Sequence, residues 1–147
     1  MSNEAIVKLG TQKTLEASGA SIANNTLAQA DDASYSIATD GAYYPDARFV
    51  LTGTFATAPT ENTTLALYAR PLNIDGTADA DAPETTRPTQ YIGVFAVNNV
   101  TTAQSLVLMA QNVPWEADYY IHNNGTGQTL SAGWDLLVTP CTIGPAA

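Results

Sequence analysis

The stretch Arg48-Phe49-Val50-Leu51-Thr52-Gly53-Thr54-Phe55 decides the fold. Phe49, Leu51 and Phe55 fall on one side of an extended chain, with Arg48, Thr52 and Thr54 on the other. That is the period-two alternation of a half-buried strand. Runs of the same kind recur at Thr64–Leu72, Tyr91–Val97, Ser105–Met109, Tyr119–His122 and Trp134–Thr139, each set off by Gly, Pro, Asn or Asp. Tyr35 and Ile37 alternate with Ser34 and Ser36 before Asp40-Gly41 turns the chain. Roughly eight short strands spaced by turns, without strong helices between them, predict an all-β chain. The expected architecture is a single jelly-roll-like β-sandwich with an irregular N-terminal arm.

Details follow from composition along the chain. Residues 1–30 are rich in Ala, Ser and Thr, and read as an arm carrying one or two edge strands, around Ile6–Leu9 and Leu15–Ile22. The sandwich domain then occupies 31–147. Tyr91–Val97 and Leu106–Met109 are apolar on both faces, which predicts central strands covered on both sides. Asn73–Thr89 is a long turn-rich excursion, and Trp134 opens the last strand as a core anchor.

The chain has 147 residues. A domain near that length buries roughly 68–70% of its extended surface, enough for a core without metal or disulfide. Only 13% of residues are charged, against about 25% in ordinary soluble domains. Fourteen acidic residues outweigh five basic ones, for a net charge of −9. Such a balance disfavours nucleic acid and anionic membrane surfaces as partners. No apolar stretch approaches the ~18 residues of a membrane span. The opening Met-Ser-Asn-Glu-Ala has no basic region followed by an apolar one, which predicts synthesis in the cytoplasm without export. The Asn-x-Thr sequons at Asn24, Asn62, Asn99 and Asn124 are then coincidental. Both lysines, Lys8 and Lys13, lie in the arm, and Arg48, Arg70 and Arg87 are the other cations. Lysine is a usual means of blunting sheet edges; its scarcity means that threonine and proline or, the preferred reading, neighbouring subunits protect them, and the arm is either a poorly ordered terminus or a segment reaching toward an acidic neighbour.

Residues able to do chemistry are few. Nucleophilic catalysis needs an imidazole beside the nucleophile, and the chain has one histidine, His122, and one cysteine, Cys141. No catalytic residue is assigned, and the expectation is a chain that is not an enzyme. Asp75, Asp79, Asp81 and Glu84 gather carboxylates in one loop of the kind calcium favours. Their spacing is not that of an EF-hand, and Asp and Gly favour turns for local reasons, so no metal or cofactor is assigned. Glu116 and Asp118 form the one acidic pair flanked by aromatic residues. Trp115, Tyr119 and Tyr120, with Tyr43 and Tyr44, have two readings. They are flat rings for stacking sugars, or they fill the core and the subunit contacts.

A resemblance adds a setting. Leu67-Tyr68-Ala69-Arg70-Pro71-Leu72-Asn73-Ile74-Asp75-Gly76-Thr77, then Tyr91-Ile92-Gly93-Val94-Phe95, then Thr126-Gly127-Gln128-Thr129-Leu130-Ser131-Ala132-Gly133-Trp134 are similar to small virion structural proteins of tailed bacteriophages. The likeness covers roughly the C-terminal half. It implies a capsid decoration or cement protein that forms homo-oligomers and grips the major capsid protein or other virion proteins. The arm and the 73–89 loop are the segments expected to reach those neighbours. A tail-tube or tail-tip subunit, and a glycan-binding jelly roll on the virion surface, are the alternatives.

Overall fold

The computed structural model describes residues 5–86 and 90–145. Arg87 and the close of the 73–89 loop lie outside them. Nine strands run in chain order: β1 (Ala5–Leu9), β2 (Lys13–Gly19), β3 (Leu27–Ser36), β4 (Asp46–Gly53), β5 (Thr64–Pro71), β6 (Tyr91–Ala96), β7 (Gln104–Ala110), β8 (Glu116–Asn124) and β9 (Trp134–Pro145). Among the described residues there is no helix, hence none long and apolar enough to cross a membrane. One sheet has the order β1-β9-β4-β7 with β2 also on β9, and the other has the order β3-β8-β5-β6. Leaving β1 aside, β2-β9-β4-β7 facing β3-β8-β5-β6 is the connectivity of an eight-stranded jelly roll. All pairings are antiparallel.

The core lies between the two sheets. Phe49 and Leu51 on β4, Leu65 and Leu67 on β5, Tyr119 and Ile121 on β8, and Trp134, Leu136 and Val138 on β9 all point into it. The alternation read at 48–55 holds: Ala47, Phe49 and Leu51 are buried and their neighbours are not. Trp134 anchors the last strand as expected; it is 1% exposed and donates its indole N–H to the Ala20 carbonyl at 2.7 Å. Gly19 has no side chain because a Cβ there would sit 2.4 Å from the indole ring.

Two expectations need correction. Tyr91–Ala96 and Gln104–Ala110 are not central strands; β6 and β7 are the edges of their sheets. Phe95 and Leu106 face the core, whereas Tyr91, Val94, Val107 and Met109 are exposed. Apolarity on both faces marks here a strand with one face buried and one face left bare. The N-terminal segment is also less irregular than expected. β1 and β2 pair one after the other along the same side of β9, and Leu15, Ile22 and Ala30 join the core. The division expected at residue 30 falls inside β3.

Where the two sheets meet at β2 and β3, carboxylates guard the edges. Glu16 Oε2 accepts the Asp31 amide at 2.9 Å, and Asp32 Oδ2 accepts the Ala17 amide at 2.7 Å. Side-chain oxygens thus occupy edge amides that otherwise invite another strand. At the opposite seam Leu108 of β7 fills the space beside Gly93 of β6, where a Cβ would lie 2.7 Å from it.

Beyond Cys141 the sandwich narrows to two strands. β4 begins at Asp46 opposite Cys141, so Thr142–Pro145 pairs with β1 alone. This ribbon extends past the core, with Ile6, Val7, Leu9 and Ile143 exposed.

Candidate interaction surfaces

The outer face of the five-stranded sheet carries few charges. Val107, Val50 and Leu137 form one row across β7, β4 and β9, and Met109, Arg48 and Thr139 form the next. Val7 and Ile143 continue the apolar character onto the ribbon, where they pair. Val107 is 59% exposed and Ile143 71%. A shallow hollow of about 140 Å³, lined by Val7, Met109, Cys141 and Ile143 among others, joins the two regions. Exposed apolar side chains gathered on one face make it a candidate contact surface.

The outer face of the four-stranded sheet is different. His122, Tyr120 and Asp118 of β8 lie beside Ala66, Tyr68 and Arg70 of β5. The Tyr68 ring meets Tyr91 at 5.7 Å and His122 at 6.2 Å. The Tyr120 hydroxyl donates to Gln29 at 3.0 Å, and Asp118 accepts from the Ser34 hydroxyl and lies 3.9 Å from Arg70. Glu116 accepts from the Asn73 amide side chain at 2.9 Å. Glu116 and Asp118 therefore stand side by side on one strand, each engaged elsewhere, and do not face each other across a cleft.

A third feature sits at one end of the sandwich. The turn after β3 is tightly bonded: Asp40 and Gly41 amides donate to Ser36, and the Tyr43 amide donates to Ile37. Ala42 and Tyr43 are consecutive left-handed residues, with φ of 48° and 61°, a conformation costly for side chains with a Cβ. Tyr43 is thereby presented against Trp115, ring centroids 6.0 Å apart, with 68% and 62% of the two residues exposed. The Trp115 carbonyl accepts the Ile37 amide at 2.8 Å, tying the tryptophan to the same turn. Beside it a cleft of about 520 Å³ is lined by Gly10, Thr11, Gln12, Lys13, Thr39, Asp40 and Ala42. Lys13 Nζ lies 2.7 Å from Asp40 Oδ2. Burial works against the Asp40 charge, but the Lys13 hydrogen bond and the Ser36 amide outweigh it and hold the carboxyl below its ordinary range.

The other singled-out residues separate. Of the five aromatics, Tyr119 is in the core, 4.8 Å from Phe49, and Tyr120 is on the four-stranded sheet; only Tyr43 and Trp115 pair, with Tyr44 following in the same turn. His122 and Cys141 lie on opposite sheets. Burial lowers the His122 pKa, and burial with the nearby Asp46 raises that of the Cys141 thiol. In the Asp75–Asp81 loop, Asp75 Oδ1 accepts the Thr77 and Ala78 amides, while Asp79 accepts the Asn73 amide and faces Arg70 at 3.6 Å. Those two carboxylates hold the loop's own backbone. Among the described residues the three carboxylates that do converge, Glu16, Asp31 and Asp32, do so at the β2–β3 seam. Lys13, expected to reach outward, is engaged within the chain by Asp40.

Nothing local in the sequence joins Tyr43 to Trp115 or Gln12 to Thr39; the jelly-roll crossings bring them together. Comparison with protein-family models, with curated proteins and with solved structures finds no match in any of the three.

Proposed function

We propose that this chain is a non-enzymatic structural component of a tailed-bacteriophage virion, a decoration protein that cements the head through repeated contacts with the major capsid protein and with other copies of itself. One observation supports the reading above the others: exposed Val107 and Met109 on the outer face of the five-stranded sheet and exposed Val7 and Ile143 on the ribbon, with half-buried Val50 and Leu137 beside Val107. Interface cores are depleted of charge in the same way. The jelly roll is a fold used by viral capsid domains, although fold alone assigns no role. The sequence likeness supplies the phage setting.

The test uses particles assembled with and without the chain. Heads lacking it are expected to rupture at lower temperature and on milder osmotic shock. Equal resistance of the two kinds of head rules out cementing. Immunogold labelling of intact particles is expected to decorate heads; label confined to tails moves the protein to the tail. Val107→Lys with Ile143→Lys is expected to abolish incorporation while leaving the unfolding temperature of the free chain unchanged, since exposed substitutions away from buried features alter stability by about 0.5 kcal/mol or less.

A further inference from the structure

We infer that β1 (Ala5–Leu9) is the contact strand of a symmetric dimer, pairing antiparallel along its free edge with β1 of a second copy. The inference deepens the proposed role by naming how copies meet, and rests on that role for its purpose alone. Its test uses the purified chain without particles, so pairing can fail while cementing stands, and cementing can fail while pairing stands.

The free edge follows from the ladder. Among the described residues β1 pairs with β9 alone, with Lys8 opposite Thr142, Val7 opposite Ile143 and Ile6 opposite Gly144. One step along the same register, the Gly10 amide donates to the Pro140 carbonyl at 2.8 Å. Opposed residues in an antiparallel ladder alternate between pairs that exchange hydrogen bonds and pairs that do not. Lys8 and Ile6 therefore bond inward to β9, whereas Ala5, Val7 and Leu9 turn their N–H and C=O groups outward. Such a row is a template for another strand, and a two-stranded ribbon beyond the core has little stability by itself.

The ribbon's own side chains leave this row unguarded. At the β2–β3 seam carboxylates take the amides of Ala17 and Asp31, and Asp135 takes that of Ser18 at 2.8 Å. The ribbon has no such group, because Ala5–Leu9 and Cys141–Pro145 contain no carboxylate. Lys8 is its one charged side chain, and it does not shield the edge. It lies back over β9, where a Cβ on Gly144 would sit 3.4 Å from Lys8 Cε.

A second copy suits this edge because the row is self-complementary. A two-fold axis at Val7 sets it opposite Val7 of the second copy, with Ala5 and Leu9 opposite Leu9 and Ala5, each pair exchanging both hydrogen bonds. That axis stands perpendicular to the sheet, so like faces stay on one side. Ile143 and Val7 of one copy then run on into Val7 and Ile143 of the other, an apolar row of side chains that are 71% and 65% exposed in the single chain. Charge favours the same place. Each copy carries −9, and the ribbon offers Lys8 without a carboxylate, so two acidic bodies meet there with little local repulsion. A two-fold contact closes on itself, and the outer faces of both copies come to lie side by side on one continuous sheet.

Sedimentation of the purified chain over a concentration series is the test. The expected result is a reversible shift from 15.4 kDa to twice that mass. The dissociation constant is expected on the order of 100 µM, as suits a small interface. Amide hydrogen exchange, read residue by residue, is expected to show Val7 and Leu9 protected at high concentration and open at low. Val7→Pro removes an outward N–H, and proline is tolerated on edge strands. It is expected to weaken association roughly tenfold or more while the chain unfolds at the parent's temperature. Should that variant fail to fold, exchange in the parent still decides. Three outcomes overturn the inference: a monomer at about tenfold above that constant, an oligomer whose Val7 and Leu9 amides exchange freely at every concentration, or undiminished association in folded Val7→Pro.

Discussion

Single residues decide how firmly the two sheets are joined. Trp134 fills the space that Gly19 leaves and spends its one donor on Ala20. Trp134→Ala is expected to cost about 3–5 kcal/mol, the range for emptying a large buried aromatic site, read from the midpoint of urea unfolding. Tyr119 tests the opposite case. Its hydroxyl is buried without a hydrogen-bond partner, and burial, with a smaller contribution from Tyr35, drives its pKa far up. A buried hydroxyl without a partner bears its desolvation uncompensated. Tyr119→Phe is therefore expected to leave stability equal or raise it by up to about 1 kcal/mol, and a clear loss in the same assay overturns that account. Asn123 is the polar counterpart that is satisfied: fully buried, it donates to Ile22 and Gln128 and accepts from Thr126.

At the scale of elements, the β2–β3 seam carries a pH dependence. Burial raises the Glu16 pKa above its ordinary 4.5, and Asp32 and Asp31 add to it against the Asp31 amide, which lowers it. A carboxyl that binds its proton more tightly when folded makes the fold lose stability as pH rises from 4.5 through the raised value. Glu16→Gln keeps an oxygen for the Asp31 amide and removes that loss. It is expected to raise the melting temperature at pH 7 and to change nothing below pH 4.5. A variant melting lower than the parent at pH 7 contradicts this. These elements also mark how far the sequence could be read. The alternation at Phe49 and Leu51, or at Leu65 and Leu67, was legible because one face of each strand is buried and the other is not. β6 and β7 misled because a bare apolar face has the same residues as a covered one. The seam carboxylates could not be located, since Glu16 and Asp31 are joined only by the crossing between sheets. Tyr119 and Tyr120 are adjacent in sequence and lie on opposite faces of β8, so the aromatic set read as one group was in fact three.

For the whole molecule, charge and apolar surface act against each other. Every copy carries −9, yet its barest face holds little charge. On the proposed role, copies attached side by side through that face bring acidic bodies together, so screening helps their attachment. Raising ionic strength well above about 0.1 M, where the screening length falls below about 10 Å, is expected to increase the amount of chain that sediments with purified particles. Release at high salt identifies a charge-driven contact in place of an apolar one.

β9 receives β1 and β2 on one side and β4 on the other, so three strands made earlier wait on the segment from Trp134 onward. A chain cut short before Trp134 has a first sheet with no middle. On the proposed role, such a fragment lacks the face through which a complete copy packs.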